Sequence, residues 1–223
     1  MANTIQTHDF IVVDYTGKLV DGVVFDTTDA DVAKKNNIFN PKLNYSPVTI
    51  CLGEKQILPG LDQHLLGKEV GKSFVVTLEA EEAFGKRDVK RVKIVPLTTF
   101  KDHKVQPFAG LQIDVDGEMG TITSISGGRV IVNFNHPLAG KQVMYEVRPL
   151  RTITSVEEKV KAYLHTTLRL PVERLNVVVA PGKTTVEVPF AMPEQLFTML
   201  GQKLEIVTGA QGVTFSVVGG QKA

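Results

Sequence analysis

The chain has 223 residues, 43% hydrophobic and 22% charged, the proportions of an ordinary folded protein, which argues against disorder. A formal net charge of +1 argues against a strongly basic nucleic-acid binder, and the single Cys51 excludes an intramolecular disulfide. The length allows one large domain or two to three small ones.

The opening MANTIQTHDF lacks a basic flank followed by an apolar core, so no signal peptide is expected. No apolar run approaches the roughly 18 residues of a membrane span. These features predict a cytosolic protein without membrane contact. Phe10 to Val13 and Tyr15-Thr16-Gly17 read as a strand. Lys18 to Val20 and Val23 to Phe25 flank Asp21-Gly22, a two-residue hairpin signal. Tyr15 and Phe25 suit a half-buried sheet face, and Asp26 can close a turn before Thr27-Thr28. Asp29 predicts the cap of a short helix, Ala30 to Lys35, ended by Asn36-Asn37. Val48, Ile50 and Leu52 alternate as a strand that carries Cys51, expected to be a buried, inert thiol. Pro59 opens a two-turn helix to Leu66, with Leu61 and Leu65 on one face and Gly67 at its end. So short a helix must lie against a sheet. Val70 to Leu78 reads as the next strand.

From Lys86 to Val132 the pattern is that of a small antiparallel β unit. Val92 and Ile94 alternate, as do Leu111, Ile113 and Val115, and then Val130, Val132 and Phe134; Asp116-Gly117 and Gly127-Gly128 are turn pairs. The basic run Lys86 to Lys93 reads as strand charges facing water. Val143 to Val147 is a further strand. Ser155 and Glu158 predict a capping box for a helix to about Leu168. Asn176 to Ala180, Thr184 to Pro189, Leu204 to Thr208 and Val213 to Val218 read as strands, and Pro193 to Leu200 as a helix. The five histidines His8, His64, His103, His136 and His165 lack paired ligand spacing, so no structural metal is expected, and no phosphate loop or other cofactor motif is present. Glu81 and Glu82 read as solvated loop carboxylates.

Three ordered motifs, VVDYTGKLVDGVVFDTT from Val12, VTICLGEKQILPGLDQHLLG from Val48 and EVGKSFVVTLEAEEAFG from Glu69, carry a family resemblance. A fourth is the N-H-P-L-A-G element from Asn135 with the strand through Tyr145. Together they resemble the FK506-binding (FKBP) family of peptidyl-prolyl isomerases over roughly the first two thirds of the chain. Leu61, where eukaryotic members carry Trp, is similar to the SlyD branch. The implied fold class is α+β: an antiparallel FKBP sheet around a short helix, an inserted all-β insert-in-flap domain, and a carboxyl-terminal α+β domain like that of long archaeal members. The implied domains are 1–85 with 133–152, then 86–132, then 153–223.

The resemblance implies catalytic roles for Tyr15, Asp26 and Phe84, and substrate binding by Phe25, Ile57, Leu58, Leu61, Leu138, Tyr145 and His136. His136 can equally be a turn histidine bonded to the local backbone. Phe84 stands where the family has Tyr, so one hydroxyl is lost from the wall. The implied partners are unfolded or partly folded chains containing X-Pro bonds, bound in part by the insert. A vestigial pocket would instead leave a holdase chaperone. The small carboxyl-terminal part, marginal in size for a lone fold, invites docking or homodimerisation.

Overall fold

The structure, a computed structural model, describes residues 4–102 and 104–217. In chain order the elements are β1 (Phe10–Leu19), β2 (Val24–Thr27), α1 (Ala30–Lys35), β3 (Val48–Cys51), α2 (Pro59–Leu65), β4 (Phe74–Leu78), β5 (Val92–Pro96), α3 (Leu97–Asp102), β6 (Gln112–Val115), β7 (Glu118–Ser126), β8 (Arg129–Asn133), β9 (Val143–Ile153), α4 (Val156–Leu168), β10 (Asn176–Ala180), β11 (Lys183–Val188), α5 (Glu194–Thr208) and β12 (Val213–Val217). They form two compact units. One joins the described residues up to Leu78 with those from Val143 onward; the other is Glu79–Gln142.

In the first unit β1 is the central strand. It pairs antiparallel with β9 along its whole length. Its other edge is shared: Phe10–Val13 pair with β3, and Thr16–Lys18 pair with β2. β4 extends the sheet beyond β9. Val12 faces Arg151 and Val13 faces Pro149, so a bulge falls at Leu150. Proline has no N–H to give the ladder, and a bulge is where a sheet interior tolerates it.

Local chemistry sets the short helices. Asp29 Oδ1 accepts from the backbone of Asp31 and Val32 at 2.7 and 3.1 Å, capping α1 as expected. Pro59 opens α2, whose Leu61 and Leu65 are buried. Asp62 turns its carboxylate back to the Gly53 N–H at 3.0 Å. Gly22, at φ +93°, turns β1 into β2, and β2 starts at Val24. The strand expected from Val70 begins at Phe74; Gly71, at φ +89°, is in a turn before it, and its N–H donates to Pro149 O at 2.7 Å.

Beyond β9, α4 and α5 pack with a sheet in which β10 and β11 are antiparallel and β11 and β12 parallel. One core runs through it: Val160, Tyr163, Leu164, Val186, Leu204 and Val207 cluster with Phe10, Cys51 and Ile153 of the first sheet. Packing therefore continues across the boundary expected at 153. The expected strand Leu204 to Thr208 is the second half of α5. Phe197, Leu200, Leu204 and Val207 recur at helical spacing, which continues through Gly201. A Cβ at Gly201 would meet Val213 O at 3.4 Å, ordinary contact between α5 and β12. Ser155 caps α4 through the Glu158 N–H at 3.4 Å, but the Glu158 carboxylate accepts from Arg151 at 2.6 Å instead of completing a box. Val218, the expected last strand residue, lies outside the described residues, as does His103.

The second unit is a four-stranded antiparallel sheet in the order β5-β8-β7-β6. Its core is Phe100, Ile122, Val130, Val132 and Phe134. Phe100 comes from α3, a helix that no periodicity longer than one turn announced. The compact unit is wider than 86–132, since the Glu79–Gly85 turn and the Asn135–Gly140 element belong to it. Lys86 to Lys93 is only partly strand: Asp88 caps a 3-10 turn over Val89–Arg91, Arg91 pairs with Glu118, and Lys93 lies over the Phe134 ring. No helix among the described residues is long and apolar enough to cross a membrane.

Phe10 is 1% exposed and belongs to the core that the carboxyl-terminal helices share with the first sheet. Phe10→Ala is expected to cost about 3–5 kcal/mol. Because the core is common, both parts should lose stability together. Denaturant unfolding followed by circular dichroism should shift as a whole; a carboxyl-terminal transition left in place would contradict the shared core.

Candidate active site

Side chains alternate along β1, so Tyr15 and Gly17 share one face. Gly17 lies opposite Tyr145 on β9 and Asp26 on β2. The Tyr145 ring, 3% exposed, fills the space above Gly17. It meets Tyr15 at 5.9 Å between centroids, tilted by 57°, and Phe25 edge-on at 5.8 Å and 82°. A Cβ on Gly17 would stand 2.8 Å from Tyr145 Cε1 and 2.9 Å from Phe25 Cζ. The missing side chain of Gly17 is therefore what lets the rings converge. Nothing but a glycine inside a strand pattern, which marks close approach, announces this residue in the sequence.

Tyr15 Oη donates to Asp26 Oδ2 at 3.0 Å. The segment carrying Asp26 is strapped to β1: the Thr28 N–H donates to Tyr15 O at 3.0 Å, the Tyr15 N–H to Thr28 Oγ1 at 3.0 Å, and Thr28 Oγ1 to Asp14 at 3.0 Å. Burial, and then the Asp26 carboxylate, push the Tyr15 phenol above its ordinary value; burial and Asp26 do the same for Tyr145. Both phenols stay protonated at neutral pH, so Tyr15 remains a donor. Ile57 and Leu58 are half-buried in the loop before α2, and Leu61 is buried on α2.

The other predicted residues lie in the second unit. Phe84 stacks on His136 at 4.5 Å and 2°. His136 Nδ1 accepts the Leu138 N–H at 3.2 Å, which puts the proton of the neutral ring on Nε2. The element is fixed to its own unit: the Gly140 N–H donates to Gly85 O at 2.8 Å, and Asn135 exchanges two 2.8 Å bonds with the backbone of Asp88. Glu81 pairs with Lys86, and Glu82 accepts the Glu79 N–H, so both carboxylates serve the turn. The contacts thus join Tyr15, Phe25, Asp26 and Tyr145 in one group, and Phe84, His136 and Leu138 in another.

A concavity of the first unit, about 600 Å³, is lined by Asp14, Thr16, Tyr45, Glu146 and Arg148. It shares Tyr15 with the aromatic group but contains neither Phe25 nor Tyr145. Its polar floor residues alternate with the apolar ones on β1 and β9. Cys51 is buried, and burial followed by Glu54 pushes its thiol up to about 12, as an inert thiol requires. Among the described residues no group of three or more His, Cys, Asp or Glu could hold a metal ion.

Three aromatic rings thus meet on one face of the first sheet, with the Asp26 carboxylate at their rim. Comparison with known proteins gives the class. Residues 2–115 match the FKBP-type peptidyl-prolyl cis-trans isomerase family, and residues 93–138 match the family described as FKBP26, IF domain. The short-type peptidyl-prolyl cis-trans isomerase of Methanocaldococcus jannaschii is 33% identical over 148 residues, 66% of this chain and 94% of that protein. The FKBP-type 16 kDa peptidyl-prolyl cis-trans isomerase of Escherichia coli is 30% identical over 161 residues, 70% of this chain and 99% of that protein. The SlyD isomerase of Vibrio cholerae is 27% identical over 150 residues, 66% of this chain and 67% of that protein. The chain belongs to the FKBP-type peptidyl-prolyl cis-trans isomerases, with SlyD among its relatives.

Gly17→Ala is expected to push the Tyr145 and Phe25 rings apart. Overpacking of this kind costs about 1–3 kcal/mol. Peptide isomerisation should fall by a larger factor than the folded fraction does. Activity kept at the wild-type level in a destabilised Gly17→Ala protein would remove the three-ring group from the site.

Proposed function

We propose that this isomerase acts in the cytoplasm on X-Pro bonds of unfolded or partly folded chains, and that its insert captures those chains. The parts are the isomerase domain, 1–85 with 133–152; the insert, 86–132; and the carboxyl-terminal part, 153–223. The observation that carries the catalytic reading is the convergence of Tyr15, Phe25 and Tyr145 above Gly17, with the Asp26 carboxylate held by the Tyr15 hydroxyl.

Rotation about an X-Pro bond is opposed by C–N resonance, about 18–20 kcal/mol. Both isomers are populated because the prolyl amide prefers trans only weakly. Twisting the bond localises the nitrogen lone pair and weakens the carbonyl dipole. An apolar wall therefore penalises the twisted form less than the planar one, and only that difference accelerates the reaction. Removing about 5–7 kcal/mol gives roughly 10⁴- to 10⁵-fold. Tyr15, Asp26 and Phe84 are the residues proposed to act on the twisting bond. Phe25, Ile57, Leu58, Leu61, Leu138, Tyr145 and His136 are proposed to hold the substrate. The family motifs support the roles of Phe84, His136 and Leu138.

The chaperone reading is supported by the surface of the insert. Val89, Ile94, Phe108 and Met119 are each more than half exposed, an unusual density for so small a unit. A holdase without turnover is the competing reading, favoured by Phe84 in place of the family's Tyr. Homodimerisation through the carboxyl-terminal part is supported by Leu196, Met199 and Ile206, exposed along one side of α5; sedimentation at micromolar concentration should give twice the chain mass, and a monomer there would reject it.

Proline-limited refolding of a model protein separates the readings. Acceleration at far less than one enzyme per client is expected. Asp26→Ala with Phe25→Ala should abolish it while leaving aggregation suppression. Replacing residues 86–132 by a short linker should cut refolding at least tenfold and leave a tetrapeptide assay nearly unchanged. Equal losses in the two assays would reject capture by the insert, and suppression without turnover in the intact protein would favour the holdase.

A further inference from the structure

The loop between β3 and α2 ends at Ile57 and Leu58. Its backbone is unusual: Gly53 at φ +85° and Lys55 at φ +54° both lie in the left-handed region. Lysine there is held against its own preference, so something must fix the loop. Part of the hold is local. Gln56 Oε1 accepts the Cys51 N–H at 2.8 Å, and the Asp62 carboxylate accepts the Gly53 N–H.

The rest comes from residues far along the chain. Glu54, between the two left-handed residues, has a side chain only 10% exposed. Its Oε1 accepts from Lys203 Nζ of α5 at 2.8 Å, and its Oε2 accepts from Tyr163 Oη of α4 at 3.3 Å. His8 Nε2 stands 3.6 Å from the same carboxylate. A carboxylate so little exposed is costly unless its partners are in place. Breaking one contact would favour release of Glu54 into water, and with it release of the loop.

We infer that Glu54 is a positioning residue, and that the carboxyl-terminal helices, through Lys203 and Tyr163, set the substrate loop that carries Ile57 and Leu58. The carboxyl-terminal part then acts in the isomerase reaction itself. This rests on the reading that Ile57 and Leu58 hold the substrate chain. The loop binds the peptide in its planar and twisted forms alike, so loosening it weakens both equally and raises KM with kcat kept.

The test uses the full chain with Glu54→Ala, Glu54→Gln and Lys203→Met, and measures hydrogen exchange of the 53–58 amides together with peptide kinetics. Lys203 is 42% exposed at its side chain, so its variant should fold even where Glu54→Ala does not. Expected are roughly tenfold faster loop exchange and a similar rise in KM for Glu54→Ala and Lys203→Met, the size of one lost charge-assisted hydrogen bond. Glu54→Gln, which still offers an acceptor to Lys203, should recover most of both. A loss of kcat with KM unchanged is what a merely structural role would give, and would overturn the proposal. Unchanged exchange and kinetics would overturn the latch. Faster exchange without any kinetic change would overturn it through the substrate assignment of Ile57 and Leu58, leaving the isomerase activity untouched.

Discussion

Everything in the first unit depends on β1 being buried on both faces and paired on both edges. Its even-numbered residues Phe10 and Val12 face the core built by α4 and α5. Its odd-numbered residues include Tyr15 and Gly17, on the face where Tyr145 and Phe25 meet. A strand with period-two alternation cannot slip by one residue without exchanging these two sets. The β9 ladder, unbroken except at the Leu150 bulge, and the division of the other edge between β3 and β2 fix the register from both sides. The face where the three rings meet is therefore set by the same pairing that attaches the carboxyl-terminal helices.

That arrangement suits a reaction whose barrier is a lost resonance. The site needs a rigid apolar wall and a small number of dipoles, and both must be in place before substrate arrives. In the proposed site Tyr145 would supply the wall, since it is almost wholly buried and bounded by two other rings. Tyr15 would supply a dipole, and its hydroxyl is oriented by the bond to Asp26. The strap of Thr28 to Tyr15 and Asp14 holds that carboxylate although Asp26 itself is exposed. Hydroxyl groups on the short β2–α1 connection thus do for orientation what burial does for the rings.

Much of this was legible in the sequence, because it is written in local pattern. Asp21-Gly22, Asp29 and Pro59 each place a turn or helix end by their own backbone chemistry, and β1 shows as the apolar run Phe10 to Val13 continued by Tyr15-Thr16-Gly17. The family motifs led to Tyr15, Phe25, Asp26 and Tyr145. What stayed hidden depends on contacts between distant residues. Gly17 matters through rings from two other strands, and Glu54 through helices more than a hundred residues away. Gly201 shows the opposite failure. Local propensity makes glycine a helix breaker, worth about 1 kcal/mol against alanine, yet the helix continues because the residues around Gly201 pack at helical spacing. The short α3 was invisible for a related reason: only Phe100 of its residues is buried, and one buried residue has no period.

The insert raises a different physical question, which is how a small unit can expose so much apolar surface and stay folded. Its described core is five residues, with Val95, Leu97, Leu111 and Ile113 half-buried around it. Small units bury a low fraction of their surface, so little stability is spare. Two features offset this. The unit is closed at its base by the paired bonds between Asn135 and Asp88 and by the bond from Gly140 to Gly85, which tie its two chain ends together. In the first unit, Leu78 and Val143, the residues that flank the insert, are themselves direct ladder partners. The sheet of the first unit thus brings together the residues that flank the inserted chain, and the entropy of that closure does not fall on the insert's own contacts. Val89, Ile94, Phe108 and Met119 can then stay exposed, because the strand pair that holds the chain ends together carries part of the cost of keeping the insert folded.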